Sequence, residues 1–265
     1  MNASLGTAVV TGASSGIGAV YAERLAARGY DLILVARRRA PLDALAGKIT
    51  QATGRAVEVV TADLADAADL ARVEAKLRGD ASIRVLVNNA GVGTHTPLLD
   101  SKVEAMNKMI DLNVTALTRL TYAVVPGLVA HGNGAVINIA SIVAIAPEIL
   151  NGVYGGSKAY VVAFSQSLKH ELADKGVQVQ AVLPGATATE FWEAGGMSVD
   201  MLPKEIVMTA EDLVDAALVG FDRGELITIP PLQDEADWTA YETARQAMAP
   251  RLSSATPAER YLATA

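Results

Sequence analysis

The 265-residue chain contains no cysteine. Disulfides and thiolate-held zinc or iron–sulfur centres are therefore excluded, and nothing points to export. Histidine is scarce: His95, His131 and His170 are scattered, without Asp or Glu at ligand spacing, so no metal site is expected. Aromatics make up only 5% of a chain that is 51% hydrophobic, so small and β-branched residues must build the core. Net charge is −7, and the longest basic run is Arg37-Arg38-Arg39. The basic stripe that tracks a phosphate backbone is missing, so no nucleic-acid partner is expected. No apolar run approaches the roughly 20 residues of a membrane span. Residues 1–6 lack a basic, apolar leader pattern, so a cytoplasmic location without membrane attachment is the expectation.

Short β-rich apolar runs alternate with helical patterns up to about residue 230. The runs fall at 7–10, 31–36, 56–61, 85–88, 135–140, 178–183 and 226–229. Helical spacing of apolar residues occupies 18–27, 41–52, 66–77, 102–130, 153–175 and 210–221. The runs are almost continuously apolar, as strands covered on both faces are. The pattern predicts an α/β fold: a doubly wound, Rossmann-type parallel sheet of seven strands with helices on both faces. One domain is expected over 1–265, with a core at 5–230, a substrate lid at about 186–209 and a C-terminal extension at about 230–265, weakly helical from 235 to 248.

The turn Thr11-Gly12-Ala13-Ser14-Ser15-Gly16-Ile17-Gly18 follows the first run and opens the first helix. Glycines permit a tight turn and close backbone approach, and a helix N-terminus offers free N–H groups to a pyrophosphate. The spacing Gly-x-x-x-Gly-x-Gly departs from the commoner Gly-x-Gly-x-x-Gly, and a plain βα turn is the alternative. After the second run, where NAD-binding folds place an acid for the ribose 2′-hydroxyl, stand Arg37 and Arg38. A guanidinium suits a 2′-phosphate, which favours NADP(H) over NAD(H), although a solvated basic turn would read the same way.

Tyr154 and Lys158 are four residues apart, a little over one helical turn, so a phenol and an ammonium would share a helix face. A neighbouring cation favours the phenolate and is expected to draw its pKa down toward neutrality, which suits carbonyl–alcohol proton transfer. Chance alone supplies roughly 0.2 such pairs in a chain of this composition, so context must carry the assignment. Ser141, at the end of an apolar run, is the nearest part of that context.

Together with Asp63, Asn88-Asn89-Ala90-Gly91, Asn113 and Pro184-Gly185, these residues resemble the single-domain short-chain dehydrogenase/reductase family over roughly residues 5–230. The resemblance implies that Asp63 and Leu64 contact adenine, while Asn89, Ala90 and Gly91 line the ribose. By the same likeness, Lys158 bridges the nicotinamide ribose hydroxyls, and Tyr154 is the acid in reduction and the base in oxidation. Ser141 is implied to hold the substrate oxygen and Asn113 a relay water. Pro184, Gly185 and Thr187 are implied to position the carboxamide, and Thr189 to reach the cofactor from the lid. A homodimer or homotetramer is also implied.

The substrate pocket is expected to be apolar, because 142–146, Ile149, Leu150, Val153, Phe191, Trp192 and Met197 surround the proposed chemistry. Val143, Leu150, Phe191 and Trp192 are the residues expected to touch a small hydrophobic carbonyl or alcohol, with Glu148 and Asn151 as the polar discriminators. His95 would either touch substrate or serve its loop. Two other readings stand beside this one: a non-catalytic NADP-binding regulator, and a serine hydrolase using the Gly-x-Ser-x-Gly match at 12–16. The hydrolase reading is disfavoured, since only eleven residues precede Gly12 and no histidine follows the last strands.

Overall fold

The structure is a computed structural model and describes residues 4–196 and 198–262. Met197, expected in the apolar pocket, lies outside the described residues. Strands β1 (Thr7–Thr11), β2 (Asp31–Ala36), β3 (Val57–Thr61), β4 (Ile83–Asn88), β5 (Gly134–Ile139), β6 (Val177–Val182) and β7 (Ile227–Thr228) form one parallel sheet in the order β3-β2-β1-β4-β5-β6-β7. The helices are α1 (Gly16–Ala27), α2 (Arg39–Thr53), α3 (Ala67–Arg78), α4 (Val103–Ile110), α5 (Leu117–His131), α6 (Gly152–Glu171), α7 (Phe191–Ala194), α8 (Ala210–Asp222) and α9 (Glu235–Met248). Residues up to Pro231 form one compact unit holding the sheet; those from Leu232 onward, with α9, form another.

Side chains alternate across the sheet, as a strand's period of two requires. Ala8, Val10, Leu32, Leu34, Val85, Val87 and Ile137 pack under α1, α2 and α8, whereas Val9, Ile33, Val35, Leu86 and Val136 pack under α3, α5 and α6. Both faces are covered, which is why the runs carry so little alternation of polarity. On the second face a polar ladder crosses the sheet: Asn88 Nδ2 donates to Thr121 Oγ1 at 3.0 Å and Asn138 Oδ1 at 2.9 Å, and Asn138 Nδ2 donates to Ser165 Oγ at 2.9 Å.

Several expected boundaries shift. The helix expected at 102–130 is a 29-residue stretch, Val103–His131, interrupted by a π-helical segment at Asp111–Ala116. Contrary to expectation, its length and composition would let it cross a membrane. Leu120, Val124 and Leu128 instead sit in the core beneath the sheet. The helix expected from 153 to 175 stops at Glu171, and the seventh strand shrinks to two residues. The lid is not a plain loop: it contains α7 and short 3-10 turns at Val199–Met201 and Lys204–Ile206, and a parallel bridge pairs Thr187 with Met208 at its base.

Candidate active site

All seven strands are parallel, so their C-terminal ends share one edge. Chain order reverses between β1 and β4, where open α/β sheets form their binding crevice. The glycine turn lies here. Gly12 and Gly16 have φ of +66° and +55°, values that disfavour any side chain. A Cβ at Gly12 would stand 2.8 Å from Asn89 Nδ2, and one at Gly18 would run into Gly12 O. Asn89 Nδ2 pins the turn by donating to Thr11 O at 2.9 Å and Gly12 O at 3.2 Å. Thr11 Oγ1, which the sequence did not single out, accepts from the backbone N–H of Asn89 and of Ala90, at 3.0 Å each.

Helix α1 starts at Gly16, so two of the three glycines lie in its first turn, and the Ser15 side chain does not cap it. Ile17 leans on the core. At the tip of β2, Arg37 is exposed, while Arg38 turns back to the glycine turn: its Nη2 lies 3.3 Å from Ser15 Oγ and 3.5 Å from Ser14 Oγ. Ser14, the centre of the hydrolase-like match, thus faces a guanidinium and not an imidazole. Past β3, Asp63 accepts from Ala65 N in a local turn, and the Leu64 side chain belongs to the core. An adenine contact by Leu64 would therefore fall to its backbone.

Ser141 follows β5 and is buried. Its Oγ donates to Pro184 O and accepts from Val143 N, both at 3.4 Å, so it also caps the turn at Ile142–Ala144. Tyr154 and Lys158 are buried in α6, with Lys158 Nζ 5.9 Å from the phenol centroid and donating to Ile139 O at 2.9 Å. The expected drop in the phenol pKa is not found. Burial pushes Tyr154 up to about 12, against the opposing pull of its hydrogen bond with Ser141. Burial also pushes Lys158 down, to about 8. In this environment desolvation outweighs the hydrogen bond to the phenol.

Asn113 sits in the π-helical segment. Its Oδ1 accepts from Val92 N at 3.0 Å, and its Nδ2 donates to Val92 O at 2.8 Å and Ser157 Oγ at 3.1 Å. It therefore brackets the loop after β4, rather than facing outward with a free side chain. A Cβ at Gly91 would stand 3.1 Å from Asn113 Oδ1 and 3.5 Å from Lys158 Nζ, which places the three together.

The lid closes over this group. Phe191 and Tyr154 have ring centroids 5.9 Å apart, and Trp192 meets Phe191 edge-on while its Nε1 donates to Thr187 O at 2.8 Å. Gly93, missed in the sequence, has room for no side chain: a Cβ would collide with Phe191 and reach within 3.1 Å of Tyr154. Val143, Met106 and Met109 share the Tyr154 cluster, with Leu150, Val153, Val92 and Phe191 packed against it. Ile149, by contrast, is 57% exposed. Glu148 is exposed too, and Asn151 caps α6 and donates to Thr96 O, so neither is aimed as a discriminator. His95 is exposed and neighbours Gly196 in the lid. Thr187 Oγ1 donates to Gly185 O, and Thr189 lies against Gly16.

The chain is similar to several known proteins. A very-long-chain 3-oxoacyl-CoA reductase of Anas platyrhynchos is 36% identical over 208 residues, which cover 77% of this chain and 66% of that protein. A short-chain dehydrogenase from Sphingobium yanoikuyae, solved in complex with NADPH, is 51% identical with a TM-score of 0.94, covering 97% of this chain and all of that one. A bulky-bulky ketone specific alcohol dehydrogenase from Comamonas testosteroni is 45% identical with a TM-score of 0.90, covering 98% and 99% of the two chains. The family profile described as short chain dehydrogenase matches residues 6–196, and the chain belongs to that family.

Proposed function

We propose that the chain is an oxidoreductase that interconverts a bulky hydrophobic ketone and its alcohol with NADP(H). The observation that carries this reading is a buried phenol, Tyr154, hydrogen-bonded to Ser141 and roofed by Phe191 in an apolar cluster. The residues present fit the cofactor. Glycines at 12, 16 and 18 let the turn pack against Asn89, Ala90 and Thr189 where a Cβ would collide, α1 opens without a side-chain cap at the end of that turn, and Arg38 replaces the acid at the tip of β2. The NADPH bound by the Sphingobium relative and the bulky ketones of the Comamonas relative support the choice of cofactor and substrate class.

When bound, the nicotinamide would supply the hydride. Arg38 and the glycine turn would hold the phosphates, and Lys158 the ribose beside it. Ser141 would donate a hydrogen bond to the carbonyl oxygen and orient it. Tyr154 would then give that oxygen its proton; a phenol kept neutral by burial is the form that reduction needs. Phe191 and Trp192 would exclude water while the proton moves. Asn113 would act through Val92 and Ser157, as a positioning residue. Following NADPH oxidation across a panel of aryl and alkyl ketones tests the reading. Tyr154→Phe should abolish turnover and leave NADPH binding within about twofold; a variant that still turns over ends the mechanism.

A further inference from the structure

Arg38 is already engaged. Its Nη2 makes an ion pair with Glu190 Oε2 at 2.7 Å while it also reaches Ser14 and Ser15. The adjoining lid residues sit on the same site from both sides: Thr189 lies against Gly16, and Phe191 covers Tyr154. Glu190 thus links the end of the site that would hold a 2′-phosphate to the lid over the phenol. Both partners are about half exposed, at 52% and 59%, and an exposed pair of this kind shifts an equilibrium only a few-fold. Such a bridge is readily exchanged for a stronger ligand.

Resting on the NADP(H) reading, we infer that Glu190 and the cofactor's 2′-phosphate are alternative partners for Arg38. The lid carboxylate thereby limits the preference for a 2′-phosphorylated cofactor and lets go of Arg38 when the phosphate arrives. The reason is charge. A phosphate monoester carries between one and two negative charges near neutral pH and takes the guanidinium fork as a carboxylate does. With Glu190 in place, the incoming phosphate meets a like charge beside Arg38, and must displace it to take that guanidinium. An unphosphorylated 2′-hydroxyl makes no such demand.

The test uses the full chain, with Glu190→Gln to remove the charge and Glu190→Ala as a second variant. Dissociation constants are measured for NADPH, NADH, adenosine 2′,5′-bisphosphate and adenosine 5′-monophosphate, at low and high salt. Both variants should bind NADPH and the bisphosphate about three- to fivefold more tightly at low salt, with less gain at high salt. NADH and the monophosphate should change by less than about twofold. Trp192, one of two tryptophans, reports on the lid in a Trp238→Phe background. The bisphosphate should shift its emission in the otherwise native chain and shift it little once Glu190 is replaced. Unchanged or weaker NADPH binding in both variants, an equal gain for NADH, or no Trp192 response overturns the inference. If the native chain itself binds NADPH no better than NADH, the cofactor reading fails and takes this inference with it. A native preference for NADPH with flat variants sinks the Glu190 role alone.

Discussion

At neutral pH the Lys158 ammonium is buried beneath the sheet edge, hydrogen-bonded to Ile139 O. Its pKa of about 8 lies below the ordinary 10.5, so folding releases its proton between those values. The group's contribution to stability therefore rises with pH across about 8 to 10.5, and below pH 8 the full cost of burying the charge, about 3 kcal/mol, is present. Lys158→Met should raise stability in urea at pH 7 by up to that amount, less the loss of a partner for Ile139 O, and the gain should shrink at pH 10. The same titration should lower kcat/KM for reduction above about pH 8, since the charge proposed to hold the ribose is lost before the Tyr154 phenol, at about 12, begins to ionise. The four-residue spacing of these two groups was legible in the sequence. The direction of the phenol shift was not, because burial is decided by Phe191 and the methionines of α4, which are remote in the chain. Gly93→Ala isolates that packing: it should cost at least tenfold in kcat with little change in NADPH affinity, measured by steady-state kinetics and titration.

At the scale of elements, the π-helical segment at Asp111–Ala116 matters most. An added residue in a helical turn rotates the residues downstream of it, and such turns recur at functional sites. Here it presents Asn113 to both backbone groups of Val92. Asn113→Ala should cost about 1–3 kcal/mol in urea unfolding through those unsatisfied groups, and should lower turnover by loosening the loop beside Gly91. Apolar periodicity had found the whole helix but could not show the irregular turn, since one residue's drift is small against a 29-residue pattern. The lid fared similarly. Its Gly- and Thr-rich composition marked an interruption, yet its α7 and the pairing of Thr187 with Met208 depend on partners across the chain. Arg38 and Glu190 are 152 positions apart, beyond the reach of any local pattern.

For the molecule as a whole, the parallel, doubly wound sheet was legible in the alternation of runs and helices, because continuous apolar strands demand cover on both faces, whereas the order of its strands came from the structure. Ile137→Ala, in a fully buried side chain of β5, should destabilise by about 2–5 kcal/mol in urea, whereas Tyr122→Ala, at 69% exposure on α5, should stay within about 0.5 kcal/mol. What apolar patterning leaves loose is the sliding of one strand along another. Asn88 and Asn138 are direct neighbours in the pairing of β4 with β5, and they are tied to each other, to Thr121 and to Ser165. A slide by one residue would turn Asn138 to the opposite face and break its bonds to both Asn88 and Ser165. The ladder is thus an alignment key. Ser141 stands three residues beyond Asn138, and Asn89 one beyond Asn88, so amides that touch no ligand set the spacing between the hydroxyl that would meet substrate and the amide that holds the glycine turn.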